Sequence, residues 1–251
     1  MTYVDCPLRY FFQYRATLEK DYENSAQHYQ KVVQKVILNF YSTIQNQEEP
    51  RLSTLKRSWG TWWIQKKTAE DVLYTTPYSW REGFERLRKL GIEGILTFWE
   101  TFKEPGYPLA INQTYHVPLT GDLTLTGTWD IIREIQQDGH PFIQILFIQT
   151  GNKKLSPFLL QHDLRITASS YAFYSLFKKR EDTLLIYSFD KGRFYRTKRE
   201  KGEYTRMKET VLATHYAIEK GLFYPSPSER CEHCPYKTLC KDWLERRERE
   251  R

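Results

Sequence analysis

The chain has 251 residues, of which 40% are hydrophobic, 27% charged and 16% aromatic. That composition belongs to a soluble globular protein, and the length allows one large domain or two small ones with a real core. No apolar run approaches the roughly 20 residues of a membrane-spanning helix, which excludes a membrane protein of that kind. The formal charge of +7, from 38 Lys+Arg against 31 Asp+Glu, points toward polyanions such as nucleic acid, although an ordinary solvated surface produces the same count. The N-terminus MTYVDCPLRYFFQYR places Asp5 before its apolar stretch and Arg9 inside it. A secretion signal has its charges first and an unbroken apolar segment after them, so the expected compartment is the cytoplasm, where thiols stay reduced.

In chain order, residues 6–18 read as a short helix with Leu8, Phe11, Phe12 and Tyr14 on an apolar side. A second helix is expected over 25–45, with Val32, Val33, Val36, Ile37, Phe40 and Tyr41 at helical spacing. Pro50 and Arg51 open a stretch with helical patterns near 52–66 and 79–103. The Trp59–Trp63 cluster in SWGTWW reads as helix packing, with base stacking as the alternative. From Pro105 the pattern changes to β-branched, alternating or continuous apolar runs at 110–119, 123–135 and 141–149, broken by turn residues. This predicts an antiparallel meander of three strands. Residues 159–179 then read as helix and 183–189 as a buried strand, with 193–197 pairing back across the turn Asp190-Lys191-Gly192. A helix over 204–220 stops at Gly221, and 241–251 is a charged helical tail. The expected class is α/β, a mixed sheet flanked by helices. An N-terminal helical region (1–104) precedes an α/β core (105–222) and a cysteine-bearing end (223–251), all in one compact unit.

The cysteines are Cys6, Cys231, Cys234 and Cys240. The last three form C-x2-C-x5-C, a spacing that lets thiolates converge on one centre from a tight turn. A fourth thiolate can come only from Cys6, more than two hundred residues away in the chain. Four thiolates suit tetrahedral zinc or an iron–sulfur cluster. A local zinc site that recruits His233, with Cys6 a buried thiol, is the alternative.

CPLRYFFQYR at the start and FYPSPSERCEHCPYKTLC at the end resemble the iron–sulfur clasp of RecB-like nucleases of the PD-(D/E)XK superfamily. The similar groups are CRISPR-associated Cas-type exonucleases with four cysteines and AddB-type subunits of bacterial helicase–nucleases. LTLTGTWDII is similar to the family's G-x-x-D strand, with Gly127 and Asp130 in place. FIQILFIQTG is similar to the next strand, which ends D-x-K-T-G in active members, and the helix holding Tyr171 resembles a Q-x-x-x-Y motif. The resemblance covers most of the chain except roughly residues 45–105. It implies a restriction-endonuclease-like mixed sheet and a 4Fe-4S cluster on Cys6, Cys231, Cys234 and Cys240, with zinc as the alternative. The implied partners are DNA, single strands above all, and a helicase or nuclease subunit in DNA repair, recombination or a CRISPR-type system.

Family enzymes hold magnesium or manganese on carboxylates while a lysine helps activate water. Aligned on Thr150-Gly151, the second acidic position holds Phe147 and the lysine position holds Gln149. The family's helix-borne histidine aligns with Gln34, and the glutamine of its last motif with Thr167. Of the metal-binding set Asp130 alone remains, either structural or bonded to the chain near Gln149. Relocated catalytic groups would have to come from His28, Glu134, Asp163, Lys153 or Lys154. Of these, Asp163 reads as a helix cap and His28 as a surface residue. The expected protein keeps the fold and binds DNA or a partner without cutting. The alternative is an active metal-dependent exonuclease with rearranged residues. A redox-sensing role for the cluster has no other support in the sequence, and a structural cluster is the expectation.

Overall fold

The computed structural model describes residues 2–18, 23–64, 72–73, 80–102, 105–151 and 155–249. The chain opens with two single-turn helices, α1 (Thr2–Asp5) and α2 (Pro7–Tyr10), and a π-helical turn over Phe11–Arg15, where the sequence pattern predicts one short helix. Strand β1 (Glu23–Asn24) leads into α3 (Ser25–Gln45), whose bounds match the apolar stripe. The Asn24 side chain caps α3 by accepting from the Ala26 amide at 2.8 Å. Helix α4 (Leu52–Ile64), the short β2 (Val72–Leu73, parallel to β1) and α5 (Trp80–Thr101) follow.

Three long strands then form the predicted meander: β3 (Tyr107–Thr120), β4 (Leu123–Gln137) and β5 (His140–Gln149), each antiparallel to the next. The expected single helix over 159–179 is two, α6 (Pro157–Gln161) and α7 (Leu164–Phe177). Together they carry the chain over to β6 (Thr183–Ser188), which lies parallel to β5. A 3-10 turn over Phe189–Lys191 ends at Gly192 with φ +57°, and β7 (Arg193–Thr197) returns antiparallel, as the turn residues predict. Helix α8 (Lys201–Glu219), a 3-10 turn at Glu229–His233 and α9 (Lys237–Arg249) complete the fold.

The sheet order is β3-β4-β5-β6-β7, mixed, with helices on both faces. One face packs Ile131, Leu146, Ile148, Leu185 and Tyr187 against α3, α4 and α5. The other packs Trp129, Ile145, Phe147, Leu184 and Ile186 against α6 and α7. Trp59 and Trp63 stack at 5.3 Å inside the first layer and are fully buried, so they are core and present no face to a nucleic-acid base.

Helices α4 and α5 meet so closely that a Cβ at Gly91 would enter the Trp59 ring, while a Cβ at Gly60 would meet nothing. Replacing a helical glycine by alanine gains about 1 kcal/mol of helix propensity, whereas overpacking a rigid indole costs about 1–3 kcal/mol. Gly60→Ala should therefore raise the melting temperature and Gly91→Ala should lower it, as thermal unfolding of the two variants will show.

Candidate functional site

Asp130 sits where β4 and β5 part. Their register runs from Gln137↔His140 up to Ile131↔Leu146 and stops there. Beyond that point the ladder has no strand partner for the Ile148 amide. The Asp130 carboxylate supplies one: Ile148 N–H donates to Oδ2 at 2.9 Å. The other oxygen accepts from Gln34 Nε2 of α3, also at 2.9 Å. Asp130 is 7% exposed. Burial pushes its carboxyl pKa up, while the Ile148 amide, the nearby Arg165 charge and the Gln34 amide pull it back. The structure thus joins Gln34 to Asp130, and the bond to the chain near Gln149 is made by Ile148.

Phe147 points away from that pair, into the layer beneath α7, and is 1% exposed. The Arg165 guanidinium of α7 lies 5.4 Å from the centre of its ring. Gln149 ends β5 beside Ser188 and is half-buried. Thr167 turns to Arg199: its hydroxyl accepts from Arg199 Nε at 2.7 Å and donates to the Asp163 carbonyl at 3.0 Å. Tyr171 reaches the Pro118 carbonyl at 3.3 Å and carries the Lys208 ammonium over its ring at 4.6 Å. Neither Thr167 nor Tyr171 bonds to Asp130.

Among the other candidates, Asp163 caps α7, accepting from the amides of Arg165 at 2.9 Å and Ile166 at 3.1 Å. That cap is also why the predicted helix breaks at His162-Asp163. His28 is buried rather than at the surface, because α4 brings Trp63 to 5.1 Å from its ring. Glu134 pairs with Ile143 and Tyr107, toward the far end of β4 from Asp130. Lys153 and Lys154 lie outside the described residues. Sequence reasoning missed two residues near the site. Asp190, read as a turn residue, accepts from the Tyr29 hydroxyl at 2.7 Å and from the Gly151 amide, fastening the end of β5 to α3. Arg165 carried no motif, and its position over Phe147 depends on the β5–α7 packing.

The cysteines form a second centre. Cys6, Cys231, Cys234 and Cys240 line one cavity of about 350 Å³, with Leu8, Phe12, Pro225, Pro227 and Tyr236 around them. No disulfide joins them. The Ser228 amide donates to Cys231 Sγ at 3.4 Å. Burial raises the Cys240 thiol pKa, and the other three thiols raise it further. Among the described residues no three His, Cys, Asp or Glu side chains stand close enough to hold one metal ion. The His233 side chain, the alternative ligand, lies outside the described residues. The chain ends are tied directly as well: Leu8 N–H donates to the Tyr224 carbonyl at 2.9 Å, and the Tyr3 hydroxyl to the Leu222 carbonyl at 2.6 Å.

No helix among the described residues is long and apolar enough to cross a membrane. No curated protein matches the chain. The family model described as PD-(D/E)XK nuclease superfamily matches residues 1–241, a span that holds the whole mixed sheet and all four cysteines. The mixed five-stranded sheet flanked by helices is consistent with the fold of that family, and the chain belongs to the PD-(D/E)XK nuclease superfamily.

Proposed function

We propose that this chain is a RecB-like member of the superfamily that binds DNA, single strands above all, without cutting it. It serves as an accessory or scaffold component of a cytoplasmic DNA repair, recombination or CRISPR-type system, alongside a helicase or nuclease subunit. Superfamily nucleases generally use magnesium or manganese, and the observation that carries the inactive reading is the occupancy of Asp130. Both of its oxygens already accept N–H donors, one from Gln34 and one from Ile148. Magnesium demands several hard oxygen ligands in near-octahedral geometry. Here the Gln34 amide presents N–H to one of the two oxygens. Phe147 offers no oxygen, and Gln149 carries no charge to polarise water. DNA binding is supported by the family and by the net charge of +7.

We further propose that Cys6, Cys231, Cys234 and Cys240 hold a 4Fe-4S cluster. Four thiols around one largely apolar cavity of about 350 Å³ support it, together with an amide directed at a sulfur. The cluster would supply structural cross-linking of the two chain ends.

Three outcomes follow. Pure protein incubated with labelled single strands and manganese should leave them intact, yet bind them with an affinity that falls with salt. Cleavage that disappears in Asp130→Ala would instead establish an active nuclease. In metal-free buffer, Asp130→Ala should lower stability by about 1–3 kcal/mol, because the buried Ile148 amide loses its acceptor. That corresponds to a melting temperature lower by roughly 2–12 °C, whereas an empty metal ligand would leave stability unchanged or raise it. Protein purified without air should be brown and contain about four irons per chain; colourless protein with one zinc would overturn the iron assignment.

A further inference from the structure

A cavity of about 610 Å³ opens between the outer half of the β3–β4 hairpin and helices α7 and α8. That volume lies within the roughly 300–1,000 Å³ typical of small-molecule sites. Tyr115, Leu125, Gly127, Ala168, Met207 and Val211 are among its lining. Tyr115 packs directly against Gly127, where a Cβ would strike its hydroxyl. Thr126, Thr128, Thr210 and Thr214 add hydroxyls, and Arg165 is the single charged residue of the lining.

Arg165 is exposed, and it forms no ion pair among the described residues. Its side chain leaves α7, lies over Phe147 and stands close enough to Asp130 for its charge to be felt there. The N-terminal amides of α7 are not the attraction, since Asp163 already caps them. The guanidinium therefore stands over the side chain that occupies the second acidic position, and it borders a cavity that begins two residues before Asp130.

We propose that this is a nucleotide subsite: Arg165 binds one backbone phosphate of a DNA single strand, and the cavity beside it receives the attached base. The proposal rests on the DNA-binding reading above and gives it a residue. A protein cation then does from α7 what a metal ion does on carboxylates in a cutting enzyme, neutralising the phosphate while presenting no water for attack. Guanidinium suits the task because it stays charged and bonds two phosphate oxygens at once.

The test is anisotropy of a fluorescein-labelled oligothymidine over a salt series, with wild type, Arg165→Gln, Arg165→Lys and Val211→Phe, each checked by thermal unfolding. A second oligonucleotide carries abasic sites. Arg165→Gln should weaken binding roughly tenfold and reduce the log–log salt slope by about 0.7, whereas Arg165→Lys should keep the slope. The abasic strand should bind wild type more weakly with the slope unchanged. Val211→Phe, which narrows the cavity, should weaken the normal strand toward the abasic one. If wild type binds with a salt dependence that Arg165→Gln leaves untouched, the phosphate assignment is wrong and the DNA-binding reading stands. Equal binding of normal and abasic strands overturns the base cavity, and wild type that fails to bind at all overturns both readings.

Discussion

The carboxylate of Asp130 is the joint on which this architecture turns. A sheet that opens between two adjacent strands leaves backbone amides facing a gap, and a buried amide without an acceptor costs about 1–3 kcal/mol. Asp130 closes the gap at Ile148 with one oxygen and fixes α3 through Gln34 with the other. Charge and geometry agree: burial opposes ionisation, while two N–H donors and the Arg165 charge favour it. Asp190 does similar work one strand over, joining the Tyr29 hydroxyl to the Gly151 amide. Two carboxylates thus hold α3 against the C-terminal ends of the central strands, the place where a nuclease would assemble its metal site.

Buried cations solve the same problem in reverse. Arg133 is 6% exposed, yet its guanidinium is held by the Gln144 side chain at 2.9 Å and by the Tyr41 hydroxyl and Pro105 carbonyl at 2.8 Å each, and it also lies over Phe102. Arg199 likewise donates to Thr167, Thr197 and the carbonyls of Lys198 and Leu160. Burial lowers its pKa, and the charges of Glu203, Asp163 and Glu181 oppose that. Neutral oxygens dominate both inner shells. These arginines act as hubs that gather oxygens from several segments, the loop carbonyls of Pro105 and Lys198 among them.

How much of this is legible in the sequence depends on how local the cause is. The α3 stripe and the meander are local: periodicity and turn residues settle them, and the bounds agree closely with the structure. The Asp130–Gln34 meeting is legible only by way of the family pattern, because residues 96 apart share no local signal. His28 is misread as a surface residue because its burial comes from Trp63 on another helix. The α6–α7 break is readable in principle from Asp163, but the apolar pattern runs through it and masks the cap. Arg133 and Arg199 look like ordinary surface charge in one dimension, since their acceptors come from several distant segments.

The ends of the chain bear on the cavity at its middle. Tyr3 and Leu8 are already bonded to Leu222 and Tyr224, and Leu8, Phe12 and Tyr236 form their own small core beside the cysteines. The chain ends thus make direct contacts of their own beside the cysteines. A cluster bound there would stabilise an arrangement that packing has begun, by the difference in its affinity for the folded and unfolded chains. The same N-terminal segment has a second use. Val4, two residues before Cys6, is one wall of the cavity beside Arg165. Whatever fixes Cys6 consequently fixes part of that cavity's lining.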